Sequence, residues 1–194
     1  ASACGIFGQA IFLDCENLQT KSIPVFLHHS FVIIHSGSTR KLSHGKYNER
    51  KSETLKASEI LKVPSLRHAT IDQLMKIKDQ IIKKRAKHII SENDRVLKAV
   101  SCLEQDDPVS FGKLMNSSHQ SMRDDYEISS DELNQVVESA NKNGALGSRL
   151  TGAGFGGCVV VLTKNEELKS VSESILEECS QAYLVTTISK ELNS

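Results

Sequence analysis

The sequence predicts an α+β domain built on a ferredoxin-like antiparallel sheet, in the order β-α-β-β-α-β with extra helices inserted in the first crossover. Three observations carry this expectation. Phe31-Val32-Ile33-Ile34 is an uninterrupted apolar run ended by Ser36-Gly37, the mark of a central strand covered on both faces. Ile71, Leu74, Met75, Ile81, Ile82, Ile89 and Ile90 then recur at helical spacing, as do Val96, Ala99, Val100 and Leu103. Near the end, a glycine-rich loop opens into Val159-Val160-Val161-Leu162, followed by a helical stretch and a last β-branched segment.

Taken in order, residues 10–14 and 23–27 read as short strands joined by a polar turn at Glu16-Asn17-Leu18-Gln19. Residues 46–61 are helical in pattern though polar, and Pro64 stops them. One or two long helices fill residues 70–104, with a break near Lys78. Asp107-Pro108 supplies a cap and a first-turn proline for a helix to about Asn116. Ser129 to Glu132 has the form of a capping box, and the helix it opens ends by Gly144. A strand at 148–151, the glycine loop, a strand at 158–163, a helix over 166–179 and a strand at 183–188 complete the chain.

Composition narrows the functional classes. Lysine plus arginine number 24 and aspartate plus glutamate 24, so no net field favours nucleic acid or an acidic surface. The basic run Lys83-Lys84-Arg85-Ala86-Lys87 lies in a helical pattern and reads as a solvated helix face. Five cysteines, an odd number without Cys-x-x-Cys spacing, suit reduced thiols in the cytoplasm. No apolar run approaches the roughly 20 residues of a membrane helix, so no membrane partner is expected.

The stretch Gly147-Ser148-Arg149-Leu150-Thr151-Gly152-Ala153-Gly154-Phe155-Gly156-Gly157-Cys158 is the most specific feature. Phosphate-binding loops of the Rossmann and Walker types lead from strand to helix, and a Walker loop ends in Gly-Lys-Ser/Thr. This loop leads into a strand and lacks that ending. It resembles the C-terminal glycine motif of the GHMP small-molecule kinases, most closely that of galactokinases. Arg85-Ala86-Lys87-His88-Ile89-Ile90-Ser91-Glu92-Asn93, Ser118-His119-Gln120-Ser121-Met122-Arg123-Asp124-Asp125-Tyr126 and Tyr47-Asn48-Glu49-Arg50 are similar to galactokinase segments in the family's order. Cys4 to Cys15 resembles the hairpin that follows the family's catalytic Gly-Ile-Met-Asp-Gln motif.

The resemblance implies a GHMP kinase C-terminal domain over residues 29–194, preceded by an N-terminal-domain remnant over 1–28. It implies phosphorylation of galactose or a similar hexose by ATP, with Mg²⁺, in an intact enzyme. The aspartate motif, the Pro-x-x-x-Gly-Leu-Ser-Ser-Ser-Ala phosphate loop and the Gly-Glu-His sugar motif are not in this sequence. Phosphoryl transfer rests on positioning and charge stabilisation, so this stretch alone is expected to be inactive, to bind neither ATP nor Mg²⁺, and to carry no catalytic residue. Its partner would be an N-terminal half or a second copy. A non-catalytic oligomerisation or protein-binding module, or another GHMP sugar or mevalonate-type kinase, is the rival reading.

By the same resemblance Tyr47 is the sugar contact, and Gly152, Ala153, Gly154, Phe155, Gly156 and Gly157 support the phosphate site. A tight bend needing glycine only for its conformation is the alternative for the loop. Arg40 and Arg50 are expected at the surface. Asp124 and Asp125 suit a loop or helix cap better than a metal, because adjacent side chains rarely converge on one ion. His119 has no identifiable nucleophile or orienting acid, and His28-His29 lack ligand spacing, so no metal site is expected. Cys158 reads as a buried small residue. Asn134 stands where galactokinases usually carry aspartate and is expected to touch no site.

Overall fold

A computed structural model of the chain describes residue 6, residues 8–38 and residues 43–189. Arg40 and the start of the hairpin match, Cys4 and Gly5, lie outside the described residues. The chain begins with β1 (Gln9–Leu13) and β2 (Thr20–Pro24), which pair antiparallel as a two-stranded sheet of their own. The second strand is shifted from the expected 23–27. Pro24 has no N–H with which to extend the ladder. Phe26, beyond it, is buried because it packs edge-on against Phe111, ring centroids 5.5 Å apart, rather than because it is a strand residue.

The main sheet is formed by β3 (His29–His35), β4 (Gly147–Thr151), β5 (Cys158–Lys164) and β6 (Tyr183–Ser189). They lie in the order β4-β5-β3-β6, every neighbouring pair antiparallel. This is the ferredoxin-like arrangement expected from the element order. Between β3 and β4 run α1 (Ser43–Leu61), two 3₁₀ segments (Leu66–His68 and Ile71–Lys76), α2 (Gln80–Glu104), α3 (Pro108–Asp124) and α4 (Asp131–Lys142). A 3₁₀ turn (Asn165–Glu167) and α5 (Leu168–Glu178) link β5 to β6.

Alternation along β3 assigns its side chains to two cores. Val32 and Ile34 join Val159, Val161 and Leu150 under α4 and α5, where Leu133, Val136, Ala140, Val171 and Ile175 close the layer. On the other face Phe31, Val160 and Leu162 meet Met115 and Phe111 of α3 and Leu103 of α2. A third cluster, from Ala57 and Leu61 through Leu66, Leu74 and Ile77 to Ile82, Ala86 and Ile90, joins α1, the 3₁₀ segments and α2.

The expected break before α2 is present. Asp79 caps the helix, its carboxylate accepting from the amides of Ile81 at 2.8 Å and Ile82 at 3.1 Å. Asp107 caps α3 by accepting from Ser110 N at 3.0 Å, with Pro108 in the first turn. That helix runs past Asn116 to Asp124, since Met115, Ser118, His119 and Met122 extend its buried stripe. At α4 the cap is Ser130, one residue beyond the expected Ser129, and it accepts from Leu133 N at 3.4 Å.

The free edge of β4 is closed by α3. Gly112 and Gly147 let helix and strand touch, for a Cβ on Gly112 would stand 2.2 Å from the Leu146 carbonyl oxygen. That approach delivers Asn116, whose Oδ1 accepts from Ser148 N at 2.8 Å, and His119, whose Nδ1 accepts from Leu150 N at 3.3 Å. Two outward strand amides thus end on side chains one helical turn apart, and the sheet edge is not open to another strand.

Candidate functional site

The glycine loop between β4 and β5 is a left-handed turn pinned on two sides. Gly152, Gly154, Gly156 and Gly157 all have positive φ, and Phe155 among them has φ 59°. Gly154 carries the strictest demand: at φ +78° its absent Cβ would lie 2.3 Å from the Ile128 carbonyl oxygen. Phe155 N donates to that carbonyl at 2.6 Å, and Gly157 N donates to the Ser38 carbonyl at 3.2 Å. Those amides are committed to the protein's own backbone. The loop is therefore a braced structure, and the part of it that faces a pocket is Gly152-Ala153 with Phe155.

Tyr47, in the first turns of α1, opens on the same pocket. Its lining is Tyr47, Arg50, Tyr126, Ile128, Gly152, Ala153 and Phe155, and its volume is about 160 Å³. The Tyr47 side chain is more than half exposed, leaving its phenol free to meet a ligand with a polar tip and an apolar face. Lys46 sits over the Phe155 ring at 5.2 Å from its centroid and brings a cation to the loop. Two sequence candidates are thus brought together, while Gly154, Gly156 and Gly157 serve as backbone behind them.

Beneath the pocket lies an ionic network that joins the family-like segments. Arg50 is buried, contrary to the surface position expected of it. It donates from Nε to the Tyr126 carbonyl at 2.7 Å and from Nη1 to Glu53 at 2.9 Å. Arg85, 2% exposed, donates to Glu53 at 2.9 Å, to the Asp125 carbonyl at 2.6 Å and to Glu127 at 2.8 Å. The basic run in α2 is accordingly not all solvated: Lys84 and Lys87 face water, and Arg85 turns inward. The Arg85 hydrogen bond holds the Glu127 carboxyl below its ordinary range.

His88 completes this layer. It stacks on Tyr126, centroids 4.5 Å apart, with Nδ1 3.0 Å from Ser121 Oγ. Ser121 gives its hydroxyl proton to Asp125 at 3.1 Å, so His88 Nδ1 is the donor to Ser121. Burial lowers the His88 pKa to about 4, keeping the ring neutral. Asp125 also takes Lys87 at 3.0 Å, and Asp124 pairs with Arg123 at 2.8 Å. Each of the two carboxylates thus has a cation of its own as partner. Among the described residues no group of three or more His, Cys, Asp or Glu is placed to hold a metal ion.

Other candidates have different roles from those the sequence suggested. His119 accepts the Leu150 amide on Nδ1, so Nε2 carries the proton toward Asn134 Oδ1 at 3.1 Å, and burial lowers its pKa. Asn134 does more than face a helix surface, because its Oδ1 also accepts from Ser129 Oγ at 2.7 Å. Cys158 is partly exposed rather than buried. Sequence reasoning missed Arg50 and Tyr126 as pocket-lining residues. Tyr126 closes one of the quoted motifs, and Arg50 follows Tyr47 by one shallow turn, but neither position signals burial without α2 and the 125–128 turn.

Residues 99–181 match the family described as GHMP kinases C terminal. A galactokinase of Actinobacillus pleuropneumoniae serotype 3 is 41% identical over 186 residues, covering 91% of this chain and 48% of the relative. A galactokinase of Clostridium beijerinckii is 41% identical over 195 residues, covering 90% and 50%. The crystal structure of Lactococcus lactis galactokinase complexed with galactose superposes with a TM-score of 0.89 at 32% identity, over 96% of this chain and 52% of that one. Mevalonate kinase of L. major shares the fold, with a TM-score of 0.64 at 18% identity, over 92% of this chain and 48% of that one. The expected GHMP C-terminal architecture is borne out. The chain spans about half the length of the curated relatives it matches.

Proposed function

We propose, for a chain that carries the C-terminal domain of the GHMP kinases and is galactokinase-like over nearly its whole length, that it forms one wall of a sugar-phosphorylating cleft. The observation that carries this reading is the shared pocket of Tyr47 and Gly152-Ala153-Phe155. In it the Tyr47 phenol contacts the hexose, and the braced glycine loop holds the adjoining surface in place for the phosphates. The reaction is transfer of the γ-phosphoryl group of ATP to the anomeric hydroxyl of galactose. The sugar oxygen bonds to phosphorus as the bond to ADP breaks, and the hydroxyl proton leaves to a base.

Such chemistry needs alignment and charge neutralisation more than covalent participation by protein groups. Nothing among Tyr47, Arg50 and Tyr126 is a carboxylate base, and Glu53 and Glu127, in the network beneath the pocket, are engaged by arginines. The base, the phosphate cradle and Mg²⁺ are therefore assigned to the N-terminal half of the enzyme, with residues 1–28 as the margin of that half and 29–194 as the second domain. Exposed Leu13, Leu18 and Leu27 on the β1–β2 hairpin and its following turn support such a margin. The unpaired thiols Cys15, Cys102, Cys158 and Cys179 support a cytoplasmic setting.

The test is complementation. The chain is mixed with the N-terminal half of the Lactococcus lactis galactokinase and ADP release from ATP is followed with galactose present. Galactose-dependent turnover in the mixture, absent from either half alone, supports the assignment. A well-folded mixture that assembles and shows no turnover counts against it.

A further inference from the structure

A second cavity, of roughly 160 Å³, lies between α2, α3 and the face of the sheet that α4 and α5 leave free. Phe31, Val160, Phe111, Met115 and Ala99 give it apolar walls. Its polar end is a charge cluster that does not balance. Among the described residues Glu92 is the single carboxylate lining it, and two guanidinium groups share it: Arg95 Nε donates to Oε1 at 3.2 Å, and Arg149 Nη1 stands 3.8 Å from the same oxygen. Oε2 is taken by the Ser118 hydroxyl at 2.6 Å. His88 is 4.0 Å from Glu92 and neutral, so it adds no charge.

Arg149 is the less well satisfied of the two arginines. Its side chain is about two-thirds buried, at 32% exposure. Among the described residues, apart from the distant carboxylate, it donates from Nε to the Leu150 carbonyl at 3.2 Å, and its Nη2 meets only the Met122 thioether, a weak acceptor, at 3.5 Å. A guanidinium presents five donors in a planar fork suited to a carboxylate. An accidental gap in an apolar interface has no reason to end on two cations sharing one anion. Burial of incompletely paired charge is costly, and an incoming anion relieves that cost.

We propose that this cavity binds a small organic carboxylate with an apolar ring or branched body, the body seated among Phe31, Phe111 and Met115 and the carboxylate on Arg149. The site is distinct from the Tyr47 pocket and does not depend on the chain's being part of a sugar kinase. Arg149 pairs across the sheet with Val160 and lies three residues before Gly152, so an occupant rests on the strand that enters the glycine loop.

The sequence holds three methionines, which supply the assay. Met115 lines the cavity, Met122 touches Arg149, and Met75 is exposed on a 3₁₀ segment away from it. With methyl-¹³C-methionine labelling, phenylacetate is titrated into the 194-residue chain beside its neutral isostere phenylacetamide. The Met115 methyl is expected to shift saturably while Met75 stays fixed, with phenylacetate binding about tenfold or more tighter than the amide. Arg149→Met removes that preference, Arg149→Lys keeps part of it, and Ala99→Phe blocks both ligands. No saturable Met115 shift up to the solubility limit, equal binding of acid and amide, or a preference that survives Arg149→Met overturns the proposal. If Arg149→Met fails to fold, the acid-to-amide comparison and Ala99→Phe decide it alone.

Discussion

Gly154 concentrates what the loop requires of its residues. Positive φ and a carbonyl 2.3 Å from the missing Cβ act together, so relaxing one does not relieve the other. Gly154→Ala is expected to lower stability by at least about 2 kcal/mol, seen as a lower urea midpoint at unchanged slope. Arg85 is a second such residue. Arg85→Met leaves Glu53 to Arg50 alone, removes the donor to the Asp125 carbonyl and the close partner of Glu127, and is expected to cost about 3 kcal/mol by the same measurement. Arg85→Lys recovers only part of this, because an ammonium cannot span three acceptors in the plane a guanidinium fits.

His88 sets a pH dependence of known sign. Unfolded, the ring takes a proton near its ordinary value of 6.5; folded, it does so only near 4. Between those values the unfolded chain binds more protons, so stability is complete above pH 6.5 and falls as the pH drops toward 4. A loss of up to about 3 kcal/mol across that window is expected from this one ring. Burial lowers His29 and His119 in the same direction. Urea unfolding at pH 7, 6, 5 and 4 measures the slope, and His88→Gln should flatten it; an unchanged slope would assign the effect elsewhere.

Among the elements, α3 shows how tertiary contact extends what local sequence suggests. Asn116-Ser117-Ser118 are poor helix formers and read as an end. The helix continues because His119 and Met122 bury against β4 and Ser118 bonds to Glu92 of α2, with Gly112 and Gly147 allowing the strand contact. Asn116→Ala is expected to leave the helix intact but raise amide exchange at Ser148 about fivefold, as one hydrogen bond worth about 1 kcal/mol is lost. Hydrogen exchange resolved at Ser148 and Leu150 reads this directly. The apolar run of β3, the Asp79 and Asp107 caps and the strand after the glycines were legible because each is a local pattern with one physical meaning. Arg50, Arg85 and Asn134 were not legible: their inward contacts include partners 15 or more residues away, and charge or polarity alone points such residues outward.

For the molecule as a whole, the ferredoxin-like sheet is a frame that holds the start of α1 against the β4–β5 loop. The order β4-β5-β3-β6 puts β3, which leads toward α1, beside β5, into which the loop leads. Ser36 N donating to the Gly157 carbonyl at 2.8 Å fastens the two at that end. Tyr47 and Gly152 belong to one pocket for this reason, although 105 residues separate them. The most direct check is galactose kinetics in the complemented enzyme, comparing Tyr47→Ala with the unaltered chain. An increase in KM for galactose of about tenfold or more, with KM for ATP within about twofold, is the predicted result. An unchanged galactose KM, or steady galactose phosphorylation by the 194-residue chain without an N-terminal half, would contradict the account.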